Sequence, residues 1–148
     1  MRSTTSIKQS DIKEKWYLVD VKDKRIGRVA TVVSQLLRGR NNPLVRPYHN
    51  PKVKIIIINA GSIDFTEKKG LTKFYKNYSG FPGGLKFVNL EDTFKKFPER
   101  PLQIAIKGML PKTKKGDEIF SNLYIYPGQD HKHEAQRPEL IDIEDIKL

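Results

Sequence analysis

The chain has 148 residues, which fits one ordinary domain, and 37% of them are hydrophobic, which is enough to form a core. Its 28 Lys and Arg residues exceed its 17 Asp and Glu residues, and the formal net charge of +11 favours nucleic acid as a partner over an anionic membrane surface. The absence of cysteine excludes disulfides, thiolate metal sites and cysteine nucleophiles, and no apolar run approaches the roughly 18 residues that a membrane-spanning helix needs.

The positive charge is concentrated in the middle of the chain. Residues 21–116 carry 21 Lys and Arg and 6 Asp and Glu, whereas residues 117–148 carry 3 and 8. We therefore expect the nucleic-acid surface in the middle, with the acidic end away from the phosphates. Residues 1–15 resemble neither a secretory signal nor a mitochondrial presequence. We predict a flexible N-terminal arm at 1–15 of a cytoplasmic protein, a single α/β domain at 16–138 and an acidic C-terminal tail at 139–148.

The first half of the chain has a strand–helix–strand pattern. Residues 16–21 are bulky and alternating, which predicts a strand. Residues 25–38 repeat apolar side chains at spacings of three and four, which predicts a helix with one buried face that ends at Gly39. Residues 54–59 contain four consecutive isoleucines, which indicate a strand covered on both faces of a parallel sheet. Together these elements predict an α/β fold with a right-handed crossover.

The second half predicts shorter elements. Residues 61–89 are rich in Gly, Lys and aromatic side chains, and we expect short strands and an ordered loop there. Asn89 is suited to cap a helix that begins at residue 90 and ends at Pro98. Leu90, Phe94 and Phe97 are predicted to fall on one face of this helix. A further helix is predicted over residues 101–110, and a last short strand over residues 123–126.

Three groups of residues predict contacts with RNA. In the first basic patch, arginines on the first helix and the following loop offer forked donors to phosphates. In the second, cations alternate with aromatic rings around a glycine loop, so lysines can neutralise phosphates while rings stack on unpaired bases. The bland alternative for this stretch is a glycine turn held by core aromatics. The third patch surrounds the end of the 101–110 helix, where the alternative is a solvated face that interacts with the helix dipole.

The members of these patches are as follows. The first basic patch comprises Arg25, Arg28, Arg38, Arg40 and Arg46. The second comprises Lys73, Tyr75, Lys76, Tyr78, Gly83, Gly84 and Lys86, with Lys68 and Lys69 before it. The third comprises Lys107, Lys112, Lys114 and Lys115. We also predict that His131 and His133 face the surface or the RNA.

Metal-dependent and catalytic functions find little support in the sequence. His131 and His133 could ligate a metal, but zinc usually needs three or four protein ligands and the chain has only one other histidine, His49. Phosphate-binding, dinucleotide-binding and nucleophile-elbow motifs are missing. An alternative enzyme acting on nucleotides or RNA would need a pocket with acid and base groups beside Asn59 and Ser62, after the isoleucine strand. We expect no catalysis, no metal, no cofactor and no small-molecule substrate.

Several motifs occur in a distinctive order along residues 16–138. They are Trp16 with Val19-Asp20, then IGRVA at 26–30, LRGR at 37–40, IIINA at 56–60, SGFPGG at 79–84, AIKGMLP at 105–111, YPG at 126–128 and HKHEAQ at 131–136. With these motifs the chain resembles the ribosomal protein L-thirteen family of the large ribosomal subunit, in its bacterial form. It departs from the family pattern at Val53-Lys54, at residues 66–69 including Glu67, and at Tyr78, and Lys54 in place of an acidic residue favours phosphate attraction.

The resemblance implies both a fold and a function. The fold would be a three-layer α/β/α domain around a small, mostly parallel four-stranded sheet. The protein would be a structural constituent of the large ribosomal subunit that binds large-subunit ribosomal RNA directly and supports early subunit assembly. Its partners would be that RNA and neighbouring ribosomal proteins on the cytoplasmic ribosome, with no membrane. A regulatory RNA-binding protein acting off the ribosome remains an alternative, because one RNA-binding surface could serve both roles.

Overall fold

A computed structural model describes residues 7–65 and 72–143 of the chain. Within these residues the strands are β1 (Lys15–Asp20), β2 (Val53–Ile58), β3 (Phe74–Tyr78), β4 (Leu85–Asn89), β5 (Leu123–Ile125) and β6 (Glu139–Leu140). The helices are α1 (Ile26–Leu37), α2 (Leu90–Lys96), α3 (Arg100–Met109) and α4 (Lys114–Phe120). Single turns of 3-10 helix occur at Gln9–Asp11, Ala60–Ser62 and Glu134–Gln136.

The strand–helix–strand unit predicted from the first half of the chain is confirmed. β1 and β2 pair in parallel from Lys15↔Val53 to Asp20↔Ile58, with α1 as the connection between them. The four isoleucines of β2 are all buried, as expected for a strand covered on both faces. Gly39 follows α1 with φ +72, a left-handed conformation in which glycine carries no steric cost. These residues form the centre of the domain.

The sheet has four strands in the order β5-β2-β1-β6, and every neighbouring pair is parallel. Two strands therefore flank the central pair, one on each side. β6 is short and pairs Glu139 with Tyr17 and Leu140 with Leu18. The α/β class and the small four-stranded parallel sheet that the resemblance implied are confirmed.

One face of the sheet packs against helices. Tyr17 and Val19 of β1 and Ile55 and Ile57 of β2 alternate onto this face, where they meet the apolar stripe of α1. The buried side chains of that stripe are Val29, Val33, Leu36 and Leu37. α3 adds Leu102 and Ile106 to the same cluster. Each fully buried aliphatic side chain contributes about 1.5–3 kcal/mol, so this layer contributes strongly to the stability of the domain.

Aromatic side chains cover the opposite face of the sheet. The rings of Trp16 on β1 and Tyr124 on β5 stack with centroids 5.9 Å apart, and the ring of His133 lies 5.4 Å from Trp16 and 4.5 Å from Tyr124. The segment that carries His133 and the 3-10 turn Glu134–Gln136 thus lies against this face. The ammonium group of Lys54 lies 4.6 Å from the centroid of the Trp16 ring and 2.7 Å from Oε1 of Glu14.

β3 and β4 form a separate antiparallel hairpin that leads into α2. Its register runs from Phe74↔Asn89 to Tyr78↔Leu85. Asn89 occupies the N-cap position of α2, but the prediction that its side chain caps the helix is wrong, because its Oδ1 is buried and accepts no hydrogen bond from a described residue. The prediction that Phe97 lies on the same helical face as Leu90 and Phe94 is also wrong. α2 ends at Lys96, and Phe97 has left the helical conformation with 58% of its surface exposed.

Both ends of the described chain contact the domain. The side-chain amide of Gln9 donates to the carbonyl of Asn50 at 2.7 Å and accepts from the Asn50 backbone N–H at 2.9 Å, and Ile12 is buried. At the other end Ile143 is buried in the main core, next to the short strand β6. Parts of the segments predicted as arm and tail therefore belong to the packed structure. α4 lies between the helix predicted over residues 101–110 and the strand predicted over residues 123–126, where no element was predicted.

Candidate nucleic-acid interface

A cationic groove lies at the C-terminal end of α1. Arg38 is the C-cap of the helix, and the chain turns back over the domain at Gly39. A Cβ added to Gly39 would lie only 2.9 Å from the Cβ of Pro51. The exposed residues Arg38, Arg40 and Arg46 line one side of a groove of about 500 Å³. None of the residues that line this groove in the described parts of the chain is acidic. Guanidinium groups around one concave surface create a positive potential that attracts phosphates.

Helix α4 places a lysine of the third basic patch in the same groove. Thr113 is the N-cap of α4, and its hydroxyl accepts a hydrogen bond from the Gly116 N–H at 3.4 Å. The ammonium group of Lys115 then donates to the backbone carbonyl of Pro47, which lies in the loop after α1. The first and third basic patches, separate in the sequence, therefore meet at this groove. We call it the arginine groove, defined by Arg38, Arg40, Arg46 and Lys115.

The other arginines of the first patch lie at the opposite end of α1. Arg25 is the N-cap of the helix and Arg28 is in its first turn, so about 20 Å and about 15 Å of helix separate them from Arg38. They line a second cavity together with Asp23 and Asp64. Lys24 lines the cavity as well, so two carboxylates offset two of its three cations, and the potential there is weaker than in the arginine groove. The first patch is thus divided into two places.

The hairpin of the second basic patch has two unlike faces. Directly opposed residues share a face, so Phe74, Lys76 and Tyr78 lie on the same side as Phe87 and Leu85. The rings of Phe74, Tyr78 and Phe87 are 54%, 62% and 56% exposed, which makes the alternative of buried core aromatics wrong for these three. The ammonium group of Lys76 lies 5.7 Å from the centroid of the Phe87 ring.

The other hairpin face lies toward α2. It carries Tyr75 and Asn77 of β3 and Lys86 and Val88 of β4. Tyr75 is half-buried, and the ammonium group of Lys73 lies 5.5 Å from the centroid of its ring. Burial raises the pKa of the Tyr75 hydroxyl above its ordinary value, so this group stays protonated near neutral pH.

The glycines of the second patch shape the hairpin turn. Gly83 has φ +70, and a Cβ on Gly84 would collide with the Ser79 hydroxyl and lie 2.9 Å from the Phe81 carbonyl oxygen. The turn interpretation is therefore confirmed for both glycines. The ring of Phe81 at the tip is 73% exposed. The structure presents this aromatic tip to solvent instead of holding it in a core.

Other predicted residues have partners within the chain. The ammonium group of Lys107 lies 3.5 Å from Asp117 Oδ1 and 5.5 Å from the centroid of the Phe120 ring. His133 belongs to the aromatic cluster on the sheet, and Nδ1 of His131 accepts a hydrogen bond from the His133 N–H at 3.3 Å. Lys54 is paired with Glu14, so its expected attraction for phosphates is largely offset.

The remaining cations that were predicted to bind RNA either are exposed or lie outside the described residues. Lys112 and Lys114 are exposed around the start of α4. Lys68 and Lys69 lie outside the described residues, as does Glu67. Lys96 and Arg100 are the cations that the sequence interpretation missed. They line a cavity between the hairpin and α2 and α3, and the signal for them was the KKFPER run at residues 95–100.

At the ends of the parallel strands, the described carboxylate nearest Asn59 is that of Asp20, which is hydrogen-bonded within the sheet. Burial of Asp20 acts to raise its pKa, but hydrogen bonds from the Asn59 amide and the Lys22 N–H outweigh it and hold the pKa below its ordinary value. A carboxylate with a lowered pKa stays ionised at neutral pH and is a poor proton donor. The neighbouring N–H groups of Ala60 and Gly61 donate to the carbonyls of Tyr126 and Pro127.

The described residues show neither a membrane-spanning helix nor a metal-binding cluster. No helix within them is both long and apolar enough to cross a bilayer. No group of three or more His, Asp or Glu side chains within them is arranged to hold a metal ion.

The chain is similar to known proteins over nearly its full length. A family model described as "Ribosomal protein L13" matches residues 14–132. The "Large ribosomal subunit protein uL13" of Latilactobacillus sakei is 42% identical over 146 residues, which cover 99% of each chain. The protein of the same name from Mycoplasma mobile is 43% identical over 143 residues, 97% of this chain and 99% of the relative. That from Petrotoga mobilis is 41% identical over 139 residues, 94% of this chain and 92% of the relative.

Proposed function

Because the chain belongs to the ribosomal protein L13 family, we propose that it is a structural constituent of the large ribosomal subunit that binds large-subunit ribosomal RNA directly. The protein supports early subunit assembly, with neighbouring ribosomal proteins as further partners on the cytoplasmic ribosome. The family is structural and is not an enzyme family. The observation that carries the RNA-binding part is the arginine groove, where two basic segments distant in the sequence line one surface free of carboxylates among its described residues.

The groove suits the RNA backbone. The guanidinium groups of Arg38, Arg40 and Arg46 offer planar, forked donors that bind phosphate oxygens in pairs, and Lys115 adds a point charge. The buried stripe of α1 fixes the helix, so the backbone at Arg38 is already in position before RNA binds. Recognition of this kind follows the shape and backbone of folded RNA. The groove would hold phosphates where RNA segments approach one another, which is how a structural protein stabilises a folded subunit.

A titration of the full chain against deproteinised large-subunit RNA at several salt concentrations tests the proposal. The logarithm of the association constant should fall steeply and linearly with the logarithm of the salt concentration. Small-subunit RNA serves as the competitor. Equal affinity for the two RNAs, or a flat response to salt, would contradict specific docking.

Substitutions then locate the contact. Arg38→Gln and Arg40→Gln should each weaken binding and reduce the magnitude of the salt slope by about one. Lys132→Gln is the matched control, because Lys132 is exposed but lies in the acidic C-terminal region. If the control lowers affinity as much as the groove variants do, the effect is one of net charge and the groove is not the contact.

A further inference from the structure

A cavity of about 480 Å³ lies between the hairpin and the helices α2 and α3. Tyr75 and Val88 line it from the hairpin, and Phe97, Arg100 and Ile104 line it from the helical side. It lies apart from the arginine groove, with which it shares no lining residue. Its lining combines exposed apolar surface, an unused hydrogen-bonding group and positive charge.

The first is exposed apolar surface. Val88, Phe97 and Ile104 are 41%, 58% and 40% exposed although all three line the same cavity. Single exposed apolar residues are common on protein surfaces, but a group around one concavity marks a binding site. Phe97 offers a flat ring, which suits a flat partner.

The second is an unused hydrogen-bonding group. The hydroxyl oxygen of Tyr75 is buried, yet it has no hydrogen-bond partner among the described residues. An unmade hydrogen bond of a buried polar group is costly, so a partner from outside the chain is expected to supply it. The Asn77 amide, which also lines the cavity, adds a second donor and an acceptor.

The third is charge. Lys96 and Arg100 line the cavity with one acid, Asp92, and neither cation forms an ion pair among the described residues. Lys73, whose ammonium group is near the Tyr75 ring, adds a cation beside it. The site therefore combines a flat apolar wall, polar donors and an excess of positive charge.

We propose that this cavity holds one unstacked nucleotide of the bound RNA. Its base lies against Phe97, Val88 and Ile104, and the Tyr75 ring shifts on binding so that its hydroxyl, buried in the free protein, donates to the base edge or the ribose. Lys96 and Arg100 bind the flanking phosphates. An aromatic ring, a polar edge and adjacent cations are the features with which proteins bind unpaired bases. A neutral peptide is less suited, because it would leave both cations without an anionic partner. This inference rests on the proposed RNA-binding function.

Cross-linking at 254 nm tests the inference with the full chain and deproteinised large-subunit RNA. After nuclease digestion, mass spectrometry should find a nucleotide adduct on the peptide that contains Tyr75 or on the one that contains Phe97. Phe97→Leu keeps apolar surface but removes the ring, so it should abolish the adduct and weaken binding about fivefold or more. Tyr75→Phe removes only the hydroxyl and should weaken binding about threefold. Phe81→Leu, with an exposed ring at the hairpin tip, should keep the cavity adduct.

The outcomes separate this inference from the proposed function. If the RNA binds with the expected salt response but no adduct forms at the cavity, the inference is overturned and RNA binding stands. If a lysine-reactive cross-linker applied to native large subunits joins Lys96 to another protein, the cavity is a protein contact and the inference is overturned. If the chain does not bind large-subunit RNA in preference to small-subunit RNA, both fail together.

Discussion

The side-chain amide of Asn59 donates a hydrogen bond to Oδ1 of Asp20 at 2.9 Å, and this contact joins the ends of β2 and β1. The same oxygen accepts from the Lys22 N–H at 3.0 Å, while the Asn59 N–H donates to the Gly128 carbonyl at 2.8 Å. The carboxyl ends of parallel strands are where α/β enzymes bind their ligands. Here the polar groups at the ends of the strands hydrogen-bond to one another, and these bonds hold the strand ends together.

The lowered pKa of Asp20 makes its stabilising effect dependent on pH. A carboxyl group whose pKa is lower in the folded state stabilises the protein fully above its unfolded pKa, and this contribution is lost as the pH falls through the folded value. Asp20→Asn should therefore lower the free energy of unfolding by about 1–2 kcal/mol at neutral pH. The difference between wild type and variant should shrink below about pH 4. Urea unfolding at several pH values measures it, and a difference that stays constant down to pH 2 would contradict the assignment.

Asn59 combines this bond with a left-handed backbone, at φ 61. Asn59→Gly loses the amide but accepts the conformation, whereas Asn59→Ala loses the amide and is strained. The alanine variant should therefore be less stable than the glycine variant by about 1 kcal/mol, as measured by thermal unfolding. At an ordinary position the order would be reversed, because glycine has more conformational entropy to lose. Equal stabilities would indicate that the backbone relaxes.

The centre of the fold was predictable because its signals are local. The apolar spacing in α1 and the isoleucines of β2 depend only on neighbouring residues, and both elements occur where predicted. β6 was not predicted, since a strand of two residues exists only through its pairing with β1. Asn89 has the residue type and position of a helix cap, but tertiary packing leaves its side chain without that bond.

The candidate site was predictable in its composition and not in its arrangement. The charge pattern identified Arg38, Arg40 and Lys115, but their meeting depends on a contact from Lys115 to Pro47, 68 residues away along the chain. The division of the hairpin into two faces was predictable, because alternate residues of a strand point to opposite sides. The pairing of Lys107 with Asp117 was not foreseen, because α4 was not predicted.

His133 should contribute to stability through the aromatic cluster. Its ring contacts those of Trp16 and Tyr124, and such pairs each contribute about 0.5–1.5 kcal/mol, so His133→Ala should lower the free energy of unfolding by about 2 kcal/mol. His131→Ala is the control and should cost less than about 1 kcal/mol, since it loses one long hydrogen bond. Trp16 is the only tryptophan, so its fluorescence should change in the His133 variant alone. If the fluorescence of Trp16 changed equally in the His131 and His133 variants, the specific contact between His133 and Trp16 would be contradicted.

Lys107 and Lys112 should differ in their effect on RNA binding. Lys107 is partly neutralised by Asp117, whereas Lys112 is exposed and has no ion-pair partner within the described residues. Lys112→Gln should therefore reduce the affinity for large-subunit RNA and the salt slope more than Lys107→Gln does. Asp117→Asn should raise the affinity by releasing Lys107. The salt-dependent titration measures all three, and a larger effect of Lys107→Gln would show that the ion pair opens on binding.

Two helical glycines should respond in opposite ways to alanine. Gly108 in α3 has no atom within 4 Å of the position that a Cβ would take, so Gly108→Ala should raise the free energy of unfolding by about 0.5–1 kcal/mol through helix propensity. In α4, a Cβ on Gly116 would collide with the backbone carbonyl of Pro111, which cannot rotate away as a side chain can. Gly116→Ala should therefore cost more than about 2 kcal/mol, because α4 must shift.

Gly116 also bears on RNA binding, because α4 holds Lys115 in the arginine groove. Gly116→Ala should weaken binding to large-subunit RNA even at temperatures where circular dichroism shows the variant to be folded, whereas Gly108→Ala should leave the affinity unchanged. Similar affinities for the two folded variants would mean that the groove does not depend on the placement of α4. The arginines after α1 would then be sufficient for the contact.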